Sequence, residues 1–194
     1  MLSTTKGHIQ SLKAHNPCME KITANYGISL DSQTAFIEMA NISGLPLIKK
    51  VQQNPMKTTT YGTGELIRDA LEKGCREFIV GIGGSATNDA GTGMLQALGF
   101  QFLDRNGKVL GQGGEILEKV AHICTQHVHQ SLKNAHFIVA CDVQNPFYGP
   151  NGAAAVYARQ KGADNTMIEE LDRGMRSFAQ VILEKTGKDI STIP

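Results

Sequence analysis

The segment Ile79-Val80-Gly81-Ile82-Gly83-Gly84-Ser85-Ala86-Thr87-Asn88-Asp89-Ala90-Gly91-Thr92-Gly93 gathers five glycines among hydroxyl, amide and carboxylate side chains. An apolar run, Phe78–Ile82, leads into it and a helical pattern follows. α/β proteins place ligands at such strand-to-helix junctions, beyond the carboxyl ends of their strands. With no Cβ at Gly83 and Gly84, backbone N–H groups can close on an anion, and the N-terminus of the next helix would add its positive dipole end. Ser85, Thr87 and Asn88 supply side-chain donors. The competing reading is a tight turn in which Asn88 or Asp89 caps the helix.

A second constellation is Val139-Ala140-Cys141-Asp142-Val143-Gln144-Asn145-Pro146. If its strand runs parallel to Phe78–Ile82, the Asp142 carboxylate emerges at the same sheet edge as the Gly83 loop. A carboxylate there can accept a hydroxyl proton, bind substrate hydroxyls or hold a divalent cation. The plainer alternative is a turn built around Asn145-Pro146. Arg159-Gln160-Lys161-Gly162 is a compact basic turn able to meet phosphate. The spacing Gly81-x-Gly83-x-x-Ala86, with Asp104 downstream, fits a loose dinucleotide fingerprint. The Asn106-Gly107 pair beside Asp104 instead marks a hairpin turn. The phosphate-loop ending Gly-Lys-Ser/Thr is absent. His127 and His129 fall on one side of a possible strand, but nothing specifies a converging third metal ligand.

These residues need elements to position them. Residues 20–29 and 34–40 read as two strands joined by the turn Asp31-Ser32-Gln33, a hairpin that argues against a purely parallel sheet. Residues 41–55 read as a short helix and loop, and 58–61 as a β-prone approach. From Glu65 the residues Leu66, Ile67, Ala70 and Leu71 share one helical face, with Gly74 placed to end it. Phe78–Ile82 and His136–Asp142 both read as strands buried on two faces. A helix is expected over 89–98, a hairpin around 104–107, a short helix over 115–121 and a tightly packed one over 152–158. The last helix covers 166–185, with Thr166 and Glu169 as a capping box. The alternation predicts an α/β fold with a mixed sheet and flanking helices.

Composition narrows the function classes. Of 194 residues, 41% are hydrophobic and 19% charged, which excludes a disordered tail. Nineteen basic residues against eighteen acidic ones leave +1 with no basic stripe, and only 6% are aromatic, so a nucleic-acid interface is not expected. Cys18, Cys75, Cys124 and Cys141 form no CxxC pair and read as reduced thiols. No signal-peptide core opens the chain and no apolar run reaches the ~20 residues of a membrane span. A soluble, cytoplasmic domain without membrane contact is the expectation.

Several of these segments share a pattern. Thr58-Thr59-Thr60-Tyr61-Gly62-Thr63-Gly64-Glu65-Leu66-Ile67, Ile82–Asp89, Ala140-Cys141-Asp142-Val143-x-Asn145-Pro146 and Gln160-Lys161-Gly162-Ala163 occur in this order. Phe36–Ala40 and Ser43-Gly44-Leu45-Pro46 fit the same set. The order resembles the bacterial glycerate kinase family of type I, from about residue 7 to Pro194. That resemblance implies ATP-dependent phosphorylation of D-glycerate to a phosphoglycerate, with Mg²⁺. It implies a restriction-endonuclease-like inserted domain set in a flavodoxin-like domain, with the active site between them. Ala90 stands where the family has glycine, and Ala158-Arg159 stands where it has Gly-Pro.

Family members are roughly twice this length. Their Asp-Ser-Phe-Lys-like strand and Ala-Asp-Gly-Gly-Glu-Gly-Thr segment would precede Met1, and a Pro-Gly-Ala-Gly-Ala-Ala-Gly-Gly motif would begin at Pro194. The chain therefore reads as residues 1–19 flanking from the flavodoxin-like domain, 20–190 as the inserted domain and 191–194 as the return. The expected roles are Asp142 as catalytic residue and Gly83, Gly84, Ser85, Asn88, Asp89, Asn145 and Lys161 as substrate or phosphate ligands, with no metal-ligating residue assigned. The expected partners are glycerate, ATP and the remainder of a kinase chain, with a homo-oligomer left open. Half a cleft should turn over poorly, so the alternative is a non-catalytic binding or assembly module with the same fold.

Overall fold

The computed structural model describes residues 7–192; residues 1–6 and 193–194, within the expected 1–19 flank and 191–194 return, lie outside the described residues. Strand β1 (Gly7–His15) pairs antiparallel with β2 (Lys21–Ser29) along its whole length, from Gly7 opposite Ser29 to His15 opposite Lys21. β3 (Thr34–Glu38) follows antiparallel. The Ser29–Thr34 turn holds because Asp31 Oδ1 accepts from Ser29 Oγ at 2.6 Å and from the Gln33 amide at 3.0 Å. The expected hairpin is therefore present. The strand over 7–15 was not foreseen, because its polar alternation has few β-branched residues.

α1 (Ala40–Ser43) is short, and α2 (Tyr61–Glu72) begins four residues before the pattern from Glu65 suggests. Gly62 and Gly64 sit inside its first turns, directly after the 58–61 stretch expected to approach as a strand. Their role is close contact: a Cβ on Gly62 would lie 2.0 Å from the His15 carbonyl oxygen, and one on Gly64 would lie 2.2 Å from that of Met94. Gly74, at φ +99°, ends the helix as expected. β4 (Glu77–Gly81) then pairs parallel to β3.

α3 spans only Thr92–Ala97. Ala90 and Gly91 take φ of +50° and +73°, so the chain cannot turn right-handed until Thr92 and the expected start near Asp89 is displaced. β5 (Gln101–Leu103) pairs with β6 (His122–Cys124), whereas Val109 makes only a single bridge to Leu103. The expected hairpin partner is thus largely replaced. Gly114–Lys119 is a 3₁₀ turn. β7 (His136–Ala140) runs parallel to β4, giving one sheet in the order β1-β2-β3-β4-β7. α4 (Ala153–Tyr157) and α5 (Asn165–Thr186) complete the chain; Asp164, not Thr166, caps α5 by accepting from the Met167 amide at 2.8 Å.

The apolar face of α2 and the inner face of the sheet close one core around Leu66, Ile67, Leu71, Ile37 and Phe78. α5 closes a second with Phe102, Leu117, Leu171 and Phe178. The second strand expected to be buried on both faces, His136–Ala140, is instead exposed throughout, with Phe137, Ile138 and Val139 at 41%, 61% and 55%. The cause is topological: β7 is an edge strand.

Close approach makes the glycines separable by substitution. Gly64→Ala should cost about 3 kcal/mol by overpacking. Gly83→Ala, whose Cβ would meet nothing within 4 Å, should stay within about 0.5 kcal/mol of the parent. Urea unfolding of both variants checks the contrast.

Candidate active site

Because β4 and β7 are parallel with Gly81 opposite Ala140, the chain leaves both strands at the same sheet edge. The Gly83 loop and Asp142 therefore meet. A cleft of about 520 Å³ is lined by Gly83, Gly84, Ser85, Asn88, Asp89, Asp142, Asn145 and Lys161 together. Val80, Met94, Phe147 and Met175 give it apolar walls.

The loop is fixed from behind. Leu45 donates its amide to the Gly84 carbonyl, Ala86 donates to that of Ser43, and Thr58 Oγ1 donates to that of Ala86 at 2.7 Å. Ser85 Oγ accepts from the Thr87 amide at 3.0 Å and shares a hydrogen bond with Thr87 Oγ1 at 2.8 Å. Buried Asn88 donates to Met175 Sδ. Asp89, only 1% exposed, accepts five hydrogen bonds: from the Thr60 amide (2.8 Å) and hydroxyl (2.9 Å), the Thr59 hydroxyl, and the amides of Gly91 and Gly93. Five donors thus stand where water would otherwise solvate that carboxylate. Its work is to pin α3 and the start of α2.

That arrangement corrects one expectation. The N-terminus of α3 does not offer a free dipole end to a ligand: the Gly93 amide is held by Asp89, the Met94 amide by Thr60 Oγ1 at 2.8 Å and the Thr92 amide by the Asp89 carbonyl. What the loop does present is the amides of Gly83, Gly84 and Ser85, which donate to no acceptor among the described residues. Gly83 and Gly84 are exposed, Gly84 sits at φ +70°, and neither glycine is required by packing. Together the three make a cradle of backbone donors that could receive an anion.

Opposite the cradle, exposed Asp142 makes no hydrogen bond among the described residues. Asn145 is committed to its own loop, donating to the Asn151 carbonyl at 2.9 Å and accepting from Tyr157 at 2.5 Å. Lys161 Nζ donates to the Thr87 carbonyl at 2.6 Å, leaving two N–H groups for a ligand. Burial pushes the Lys161 ammonium down to about 8, and the negative charge of Asp89 opposes that fall. Arg159 is exposed and donates to Asn165, so the basic turn sends only Lys161 into the cleft. Sequence reasoning missed Thr60 and Tyr157, the supports of Asp89 and Asn145. Thr60 was hidden in a segment that looks strand-like, and Tyr157 in a helix read only for its small residues.

The remaining candidates fall elsewhere. Asp104 accepts from the amides of Asn106 and Lys108 in a turn away from the cleft, which removes the ribose ligand of the dinucleotide reading. The possible strand over 127–129 is a turn and the start of a 3₁₀ segment. Among the described residues no three His, Cys, Asp or Glu side chains come together, and no helix is long and apolar enough to cross a membrane. A larger open groove, about 1080 Å³, lies along α5, but its Arg173 is paired with Glu118 at 3.7 Å and its Arg176 with Asp172 at 3.8 Å.

Comparison with known proteins follows the same outline. The "Glycerate kinase" of Halalkalibacterium halodurans is 44% identical over 194 residues, all of this chain and 51% of the relative. The "Glycerate 2-kinase" of Escherichia coli K12 is 45% identical over 194 residues, again 51% of the relative. The crystal structure of a Salmonella typhimurium LT2 protein described as glycerate kinase 2 superposes with a TM-score of 0.96 at 45% identity, over 99% of this chain and 51% of that one. The chain thus spans about half the length of the relatives it matches. The family model described as "Glycerate kinase family" matches residues 1–194, and on that match the chain belongs to the glycerate kinase family.

Proposed function

We propose that this chain supplies one side of an ATP-dependent glycerate kinase site. The observation that carries the reading is the convergence of three unpaired backbone amides, one free carboxylate and one half-buried ammonium on a single cleft, within a chain of this family. Glycerate brings a carboxylate and hydroxyls, and ATP brings phosphates. The cradle of Gly83, Gly84 and Ser85 together with Lys161 binds the anionic groups, and Asp142 faces the hydroxyl. Asn88, Asp89 and Asn145 hold these groups in place. In the transfer the hydroxyl oxygen forms a bond to the γ-phosphorus, the bond from that phosphorus to the ADP oxygen breaks, and the hydroxyl proton passes to Asp142. The E. coli relative's name points to the C2 hydroxyl as the acceptor.

Mg²⁺ enters only through the family resemblance. The described residues assemble no metal site of their own. An ion would therefore be held chiefly by phosphate oxygens and water, with Asp142 as the carboxylate able to join them. When bound, it would neutralise phosphate charge.

The second reading, binding or assembly without turnover, is favoured by the half-length match. Phosphoryl transfer depends on positioning from both sides. The chain alone should show no glycerate-dependent ATP consumption. A chimera in which these 194 residues replace the matched segment of the E. coli relative should phosphorylate glycerate. Robust turnover by the chain alone, or a folded chimera without any, would each contradict the reading.

Lys161 gives the site a pH dependence. Its amine is charged below about 8 and neutral above it, so anion affinity owed to Lys161 falls as pH rises through 8. Calorimetric titration of the chimera with glycerate between pH 7 and 9.5 should show about a tenfold weakening per unit above 8. Lys161→Met should bind more weakly at pH 7 and lose that dependence; an unchanged profile would remove Lys161 from the binding site.

A further inference from the structure

The cleft holds one buried polar side chain that its scaffold leaves half used. Thr60, Thr63, Thr87, Asn88 and Asp89 are the buried polar residues that line it. Most of them are partnered from within: Thr60 donates to Asp89, Thr63 Oγ1 pairs with Ser43 Oγ at 2.8 Å, and Thr87 Oγ1 pairs with Ser85 Oγ. Asn88 is different. Only 7% exposed, it donates from Nδ2 to Met175 Sδ at 3.3 Å, while its Oδ1 has no hydrogen-bond partner among the described residues. Gln96 Oε1 is the one sealed side-chain atom without a partner among those residues. Asn88 Oδ1 is therefore not sealed in the core, and it opens onto the cleft that Asn88 lines.

The sulfur decides which way the carboxamide points. A thioether accepts a hydrogen bond and cannot donate one, so Nδ2 turns to Met175 and Oδ1 turns away from it. A nearly buried carbonyl oxygen held without a donor is costly until a donor arrives. The rest of the cleft says what kind of donor that is. The amides of Gly83, Gly84 and Ser85 and the Lys161 ammonium are donors, suited to carboxylate and phosphate oxygens. On the acceptor side stand the exposed Asp142 carboxylate and the buried Asn88 Oδ1. They differ chemically in one respect. A carboxylate can take a proton from a hydroxyl, whereas a carboxamide oxygen only holds the hydroxyl in place.

We infer that Asn88 is a specificity-determining residue: its Oδ1 accepts a hydrogen bond from the substrate hydroxyl that is not phosphorylated, and so selects 2,3-dihydroxy acids over monohydroxy acids. This rests on the kinase reading above and deepens it. With the C2 hydroxyl facing Asp142, the primary C3 hydroxyl of glycerate is the one that Asn88 reads. An analogue lacking that hydroxyl leaves the buried oxygen unpaired, which is how such a site rejects it.

Calorimetric titration of the E. coli chimera with D-glycerate, D-lactate and 3-fluorolactate of the same configuration tests the assignment. Lactate lacks the C3 hydroxyl, and fluorine fills its place without a proton to donate. The parent chimera should bind glycerate at least about thirtyfold more tightly than either analogue. Asn88→Leu should bring all three within about threefold of one another. Asn88→Ala, which needs no extra room, should do the same and serves if the leucine variant does not fold. Equal binding of glycerate and 3-fluorolactate by the parent would overturn the assignment. So would a folded Asn88→Leu or Asn88→Ala chimera that keeps the parent's preference, which would leave Asn88 as packing for Met175 alone. The two readings fail separately. A chimera with this preference that transfers no phosphate sinks the kinase reading, whereas one that phosphorylates glycerate but binds all three ligands alike sinks the role of Asn88.

Discussion

The buried carboxylate of Asp89 is the constraint around which the site is arranged. Taking that charge out of water without partners would cost several kcal/mol, roughly the margin on which a domain survives. Thr59, Thr60 and the amides of Gly91 and Gly93 answer it. Meeting that demand brings the start of α2, the Gly83 loop and α3 into contact. It also explains Gly93, where a Cβ would lie 1.9 Å from Thr59 Oγ1 and 2.9 Å from Asp89 Oδ2. The same bonds use up the N-terminus of α3, so the loop's capacity for an anion moves forward to Gly83, Gly84 and Ser85.

The parallel pairing of β4 and β7 is the second constraint. It places Asp142 in the same cleft as that loop, and the turn over 159–162 adds Lys161 through its bond to Thr87. Ligand groups are thus left free while the residues that support them are saturated. That division between satisfied scaffold and unsatisfied donors is the physical argument for a site.

Much of this was legible in the residues. Two strand ends carrying Gly83 and Asp142 predict the cleft once they are taken as parallel, and the Asp31 turn predicts the antiparallel hairpin. Three features were not legible, each for a definite reason. Gly62 and Gly64 look like helix breakers until their backbone contacts with His15 and Met94 are known. The late start of α3 follows from the positive φ at Ala90, an alanine where the family resemblance expects glycine, and local propensity does not announce it. His136–Ala140 has the residues of an interior strand but the position of an edge.

The central claim is that the Gly83 loop and Asp142 act on one substrate. Steady-state kinetics of the E. coli chimera carrying Asp142→Asn test it most directly. The account predicts a kcat at least about a hundredfold lower with the KM for glycerate changed only a few-fold, the signature of a lost proton acceptor in a site that still binds. Full turnover by the Asp142→Asn chimera would contradict it.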